Sequence, residues 1–227
     1  MRQSTERSEI ERFHCQLVSW KDIELWSKDV AKKVEDYAPD VIIGLTRGGW
    51  VPARLLCDFL VEKNLCSIKT EHWGITARKD SKARLAQGLN VSVRGKKVLL
   101  MDDITDTGMS MELALSHVAG KMPGAMKSAT LLHIEGARIE PDYYSVFVPK
   151  EKWTWFVFPW NLNEDLCTLI PKTLYEPKEL SSISASLFDQ FDIRPRKDRV
   201  KMALRSLESK GRINHNEGLF SLSCSSD

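Results

Sequence analysis

The sequence predicts an α/β fold built on a parallel central sheet flanked by helices, and three observations carry that prediction. Apolar runs rich in β-branched residues alternate with stretches of helical period, the order that produces parallel strands joined by right-handed crossovers. Two of those runs, "DVIIGL" and "KVLLMDD", lead into glycine-containing turns, "TRGG" and "TDTGMS", each followed by a helical stretch. The composition, 42% hydrophobic and 28% charged, is that of an ordinary folded protein. At 227 residues there is room for one large domain, or for a core domain with a small appendage.

The elements follow in order. "SWKDIELWSKDVAKKVEDY" has a capping candidate in Ser19 and places Ile23, Leu25, Trp26, Val30 and Val34 at helical spacing. "DVIIGL" reads as a strand, "TRGG" as a turn, and "WVPARLLCDFLVEKN" as a helix with Pro52 in its first turn. A strand near "LCSIKT" precedes a polar stretch at 73–90 that carries Arg78, Lys79, Lys82 and Arg84 and shows no clear period. Long segments of this kind in a domain serve as lids or connectors. "KVLLMDD", "MELALSHVAGK" and "KSATLLHI" then predict strand, helix and strand. Residues 138–171, rich in proline and aromatics, predict an irregular or antiparallel subregion over the sheet edge.

Several function classes are excluded or disfavoured. The formal net charge of +2 gives no global attraction to nucleic acid or anionic lipid. The N-terminal stretch has no apolar signal region, and no run approaches a membrane span, so a cytoplasmic protein is expected. Five scattered cysteines with no C-x-x-C pair suit a reducing compartment and argue against structural zinc. Neither a dinucleotide fingerprint nor a P-loop is present.

The chemistry concentrates in "VLLMDDITDTGMS". Gly108, with Thr107 and Ser110, stands where a helix begins, so backbone N–H groups and the helix dipole favour a phosphate there. Asp102 and Asp103 at a strand end suit vicinal hydroxyls or Mg²⁺. Ligands of open parallel sheets bind beyond the carboxyl ends of the strands, so both glycine turns should face one site. A phosphate, a diol and a metal together describe a sugar phosphate.

That stretch resembles the signature with which type I phosphoribosyltransferases bind 5-phosphoribosyl-1-pyrophosphate (PRPP), and "TRGG" resembles the family's pyrophosphate loop. With the late "PDYYSVFVPKEKWTWFVFPW", the order is similar to the microbial and archaeal 6-oxopurine branch, the xanthine-guanine and hypoxanthine enzymes. The resemblance implies the type I phosphoribosyltransferase fold with a small hood over residues 1–171, and a Mg²⁺-dependent transfer to guanine, xanthine or hypoxanthine. It implies that Thr46, Arg47, Gly48 and Gly49 bind pyrophosphate through a loop that in the family often holds a cis peptide. Asp102 and Asp103 would meet ribose hydroxyls and the metal. Thr105 and the cradle of Asp106, Thr107, Gly108, Met109 and Ser110 would take the 5′-phosphoribosyl group, with Asp106 as general base. The 73–90 segment would be a lid, Trp155 would stack on the purine, and a homodimer or higher homo-oligomer is expected. Where many 6-oxopurine enzymes place a lysine against the purine O6, this chain offers His133. A PRPP-sensing transcriptional regulator, or transfer to another base, stay open as alternatives.

Residues 172–227 lie beyond the resemblance. "DRVKMALRSLESKG" has one apolar helical face, and "GRINHNEGLFSLS" reads as two strands about an "HNEG" turn, together a small winged-helix-like α+β module. Residues 192–212 hold eight Lys or Arg against three acids, an excess of five positive charges that could meet nucleic-acid phosphates.

Overall fold

The structure, a computed structural model, describes residues 10–72 and 83–223. From the N-terminal side the chain forms β1 (Cys15–Leu17), α1 (Trp20–Val34), β2 (Val41–Thr46), α2 (Trp50–Phe59), β3 (Leu65–His72) and β4 (Ala83–Gln87). It continues through β5 (Lys97–Thr105), α3 (Met109–Ala119), β6 (Ala125–Ile134), β7 (Tyr143–Val148) and β8 (Trp155–Val157). The last elements are α4 (Leu162–Thr173), α5 (Leu180–Phe191), α6 (Lys197–Ser209), β9 (Ile213–Asn216) and β10 (Leu219–Leu222).

These elements divide into two compact units, one of residues 20–153 and one of 10–19 with 154–223. The first is an α/β layer structure. Its sheet has the order β4-β3-β2-β5-β6-β7, with β2, β3, β5, β6 and β7 parallel and β4 antiparallel to β3. Val41, Ile43 and Leu45 of β2 and Val98 and Leu100 of β5 form a core with Met111, Ala114 and Val118 of α3. The alternate residues Ile42, Leu99 and Met101 are buried as well, as central parallel strands covered on both faces require.

Three expectations need correction in this unit. Residues 143–148 are not irregular or antiparallel: β7 extends the main sheet as a sixth, parallel strand. Leu25, placed on the inner helical face by spacing, is 55% exposed, and Ser27 and Ala31 are buried instead. Residues 83–87, read as aperiodic, form β4. Residues 73–82 of the expected lid lie outside the described residues.

In the second unit β1 pairs in parallel with β8, Cys15 opposite Trp155 and Leu17 opposite Val157. Leu166, Leu169 and Ile170 of α4 share one core with Ile183, Leu187 and Phe191 of α5 and with Val200, Leu204 and Leu207 of α6. A domain boundary at 171/172 would cut through α4 and its core; the contacts divide the chain between Trp153 and Thr154. The sequence stretch 138–171 had shown no helical period, yet its last part forms most of α4, with Pro171 inside the final turn.

Candidate active site

The site assembles at the carboxyl ends of β2 and β5, where two turns meet. β2 ends at Thr46, whose hydroxyl donates to the Ile68 carbonyl of the neighbouring strand at 3.1 Å. The Thr46–Arg47 peptide is cis, and Arg47 is exposed at the turn. Gly49 N–H donates to Leu45 O at 2.8 Å, closing the turn into α2. The two glycines are a steric requirement. A Cβ at Gly48 would land on the Asp103 carboxyl, and one at Gly49 would stand 2.7 Å from Asp102 Cα. The turn after β2 is therefore pressed directly onto the acidic end of β5, as the edge rule for parallel sheets anticipates.

β5 runs on through Asp102 and Asp103 to Thr105. Asp102 Oδ1 accepts from Asp103 N–H at 3.0 Å, and Asp103 Oδ1 accepts from Ile104 N–H at 2.9 Å. Burial, then repulsion from Asp103, pushes the Asp102 carboxyl well above the usual carboxylate range, against the pull of the Asp103 and Gly49 backbone N–H groups. Two acids held this way favour an added positive charge or a hydrogen-bond donor.

Beyond β5, Asp106 is exposed on the turn, and Gly108 takes a left-handed φ of 80° before α3 begins at Met109. A Cβ at Gly108 would stand 2.9 Å from the Ile139 N, so glycine is needed for shape as well as for φ. Arg138 N–H donates to Thr107 O at 3.0 Å and clasps the turn from behind. Met109 and Ser110 occupy the first turn of α3, with their N–H groups at its N-terminus.

His133 stands on β6 opposite Thr105 in register. Its ring lies 5.1 Å from that of Tyr144 and 5.9 Å from that of Phe147, and it is 4% exposed. Burial holds its pKa below the ordinary histidine value, slightly opposed by Glu140, so the imidazole is neutral at pH 7. Its Nδ1 has no hydrogen-bond partner among the described residues, nor do the hydroxyls of Thr105 and Thr130. Thr130 faces Asp102 across the β5–β6 ladder. Nothing in "KSATLLHI" marks it, because strand register is a tertiary fact. Trp155 belongs to the other unit, where its ring stacks on Phe13 at 5.7 Å.

The residues fit a magnesium ion of a particular kind. Among the described residues no group of three or more His, Cys, Asp or Glu converges into an all-protein cage. Magnesium is commonly held by one or two carboxylates together with phosphate oxygens and water. Asp102 and Asp103 are such a pair.

With this geometry established, the comparisons with known proteins are specific. The family profile described as "Phosphoribosyl transferase domain" matches residues 16–165. The chain belongs to the phosphoribosyltransferase family. A xanthine-guanine phosphoribosyltransferase of Roseobacter denitrificans is 26% identical over 156 residues, 64% of this chain and 84% of that protein. A hypoxanthine-guanine phosphoribosyltransferase of Aquifex aeolicus is 28% identical over 137 residues, 58% of this chain and 76% of its own. The crystal structure of a purine phosphoribosyltransferase from Pyrococcus horikoshii superimposes with a TM-score of 0.57 at 30% identity, over 65% of this chain and 94% of that one. Both glycine turns and the acidic pair lie inside the stretch the family profile covers.

Proposed function

We propose that the protein transfers the 5-phosphoribosyl group of PRPP to a 6-oxopurine base, guanine, xanthine or hypoxanthine, releasing pyrophosphate and forming a nucleoside monophosphate. One observation carries this reading: the Gly48–Gly49 turn sits against Asp102 and Asp103 at the same sheet edge as the Asp106–Ser110 turn. The named relatives, which are purine enzymes, support the choice of base class.

In the reaction the bond from ribose C1 to the pyrophosphate oxygen breaks, and a purine nitrogen bonds to C1. The N–H groups at the start of α3, with Thr107 and Ser110, hold the 5′-phosphate. The turn from Thr46 to Gly49 holds the departing pyrophosphate. Asp102 and Asp103 accept hydrogen bonds from the ribose hydroxyls and hold Mg²⁺, which when bound neutralises the charge gathering on the leaving group. Asp106 takes the proton the purine nitrogen loses, and its carboxylate faces the positive charge that develops at the sugar. His133, neutral and able to donate one hydrogen bond, is the base-recognising group, and Trp155 is assigned to the purine face on the sequence resemblance. The protein acts in the cytoplasm, as a homodimer or higher homo-oligomer.

The test is turnover. Purified protein with Mg²⁺ and PRPP is offered hypoxanthine, guanine, xanthine, adenine, uracil and orotate separately, with the nucleotide followed by chromatography. Conversion of an oxopurine is expected, and Asp106→Ala should reduce kcat by roughly 10²–10⁴-fold, the range for a positioned general base. Conversion of adenine or a pyrimidine alone would refute the base assignment. No conversion of any base would refute the reading as a whole.

A further inference from the structure

The C-terminal part of the chain carries a topology with a use of its own. In chain order the second unit presents α4, then Lys178, then α5, α6, β9 and β10. Lys178 is more than a linker residue: its N–H donates to Phe220 O at 2.9 Å and its carbonyl accepts from Phe220 N–H at 2.8 Å. It thus adds a one-residue third strand to the β9–β10 hairpin. The hairpin closes on Glu217 and Gly218, both at positive φ (51° and 82°), with Asn216 opposite Leu219, a two-residue turn whose hand matches strand twist. Three helices on one core, a bridge after the first and a hairpin after the third make up a complete winged helix. The first helix of that module is α4, which the sequence had assigned to the larger domain.

In this arrangement α6 is the second helix of a helix-turn-helix pair with α5, the position that enters the major groove of duplex DNA. Its chemistry suits that role. The inner face is Val200, Ala203, Leu204 and Leu207, all buried. The outer face presents Lys201, Met202, Arg205, Ser206 and Ser209, with Lys201 and Arg205 exposed and without ion-pair partners among the described residues. Small hydroxyls, a thioether and arginine can read base edges, while lysine and arginine meet phosphates. Arg194 before the helix, Lys197 at its first position, and Lys210 and Arg212 after it are exposed too. The opposing charge on the helix is limited: Asp198 pairs with Arg196 at 3.1 Å and reaches Arg199 at 4.0 Å, and Glu208 is the next-to-last residue of α6. At about 1.5 Å per residue, α6 is about 20 Å long, enough to lie in a groove about 12 Å wide. The family profile ends at residue 165, and the Pyrococcus structure is covered over 94% of its length by only 65% of this chain. The α5–α6–hairpin portion therefore lies outside the stretch that the family profile matches.

We infer that residues 162–223 form a duplex-DNA-binding surface, with the outer face of α6 in the major groove and the β9–β10 wing against the backbone beside it. The inference is independent of the transfer reaction. It is tested with the full-length protein and a fluorescein-labelled, mixed-sequence DNA duplex of about three helical turns, by fluorescence anisotropy between about 50 and 200 mM salt. Binding is expected, with affinity falling steeply as salt rises. The Lys201→Ala/Arg205→Ala variant should bind about tenfold more weakly, and its slope of log affinity against log salt should be about two smaller. Its melting temperature should match that of the unaltered protein, since both side chains are exposed; a Lys63→Ala control on the other unit should bind like the unaltered protein. Absence of binding at the lowest salt would overturn the inference. So would equal affinity of the double variant, or tighter binding of single-stranded RNA of the same length.

Discussion

Asp102 illustrates how a residue can be costly to the fold and useful to the site. Its folded-state pKa lies above its unfolded value because half-burial at the strand end and the neighbouring Asp103 disfavour its charged form. The folded protein therefore holds a proton that the unfolded chain releases, and stability falls as pH rises past the unfolded carboxylate value of about 4. Removing the charge should relieve that. Asp102→Asn is expected to raise the melting temperature of the ligand-free protein at pH 7, by about 2–4 °C for each kcal/mol of repulsion removed. In the same variant Mg²⁺-dependent PRPP binding, measured by titration calorimetry, should weaken roughly tenfold, about 1.4 kcal/mol. A lower melting temperature with unchanged binding would contradict both halves of this account. The acidic pair was legible in the sequence because both residues lie in one short motif. Thr130 was not, since only strand pairing sets it beside Asp102.

At the scale of elements, the β6–β7 edge depends on Asp142. Its carboxylate accepts from Lys127 Nζ at 2.6 Å, Ser128 N–H at 2.8 Å and Ser128 Oγ at 3.0 Å, tying the start of β7 to β6. Burial disfavours its ionisation, but these donors outweigh that and hold its pKa below the usual carboxylate range. Such a group contributes stability above its unfolded pKa of about 4, and the contribution is lost as pH falls through the lower folded value. Asp142→Asn should thus lower stability by about 1 kcal/mol at pH 7, a figure already reduced for its partial exposure. The variant should nearly coincide with the unaltered protein near pH 2; urea midpoints at the two pH values decide this. β7 itself escaped a sequence reading for a physical reason: "YYSVFV" is a half-exposed edge strand with neither a long apolar run nor clean alternation. β2, β5 and β6 were legible because central parallel strands, covered on both faces, read as unbroken apolar runs.

At the scale of the whole molecule, the two units are not consecutive in the chain. The core of α4, α5 and α6 also takes in Cys15 of β1 and Val157 of β8, so a cut at the boundary suggested by sequence should fail. A protein lacking residues 172–227 would lose the end of α4 and expose Leu166, Leu169 and Ile170, and is expected to aggregate or melt well below the full chain on size-exclusion chromatography and thermal scanning. A monodisperse product with an unchanged melting temperature would refute the shared core. The discontinuity also orders events during synthesis. β1 emerges from the ribosome well before its parallel partner, since Cys15 pairs with Trp155. At 5–20 residues per second that is a wait of roughly 10–30 s, during which residues 20–153 are being synthesised and β1 has nothing to pair with. Burial later drives the Cys15 thiol up to about 12 and hides it from reagents, so pulsed alkylation of that one cysteine during translation would time the closing of the second unit.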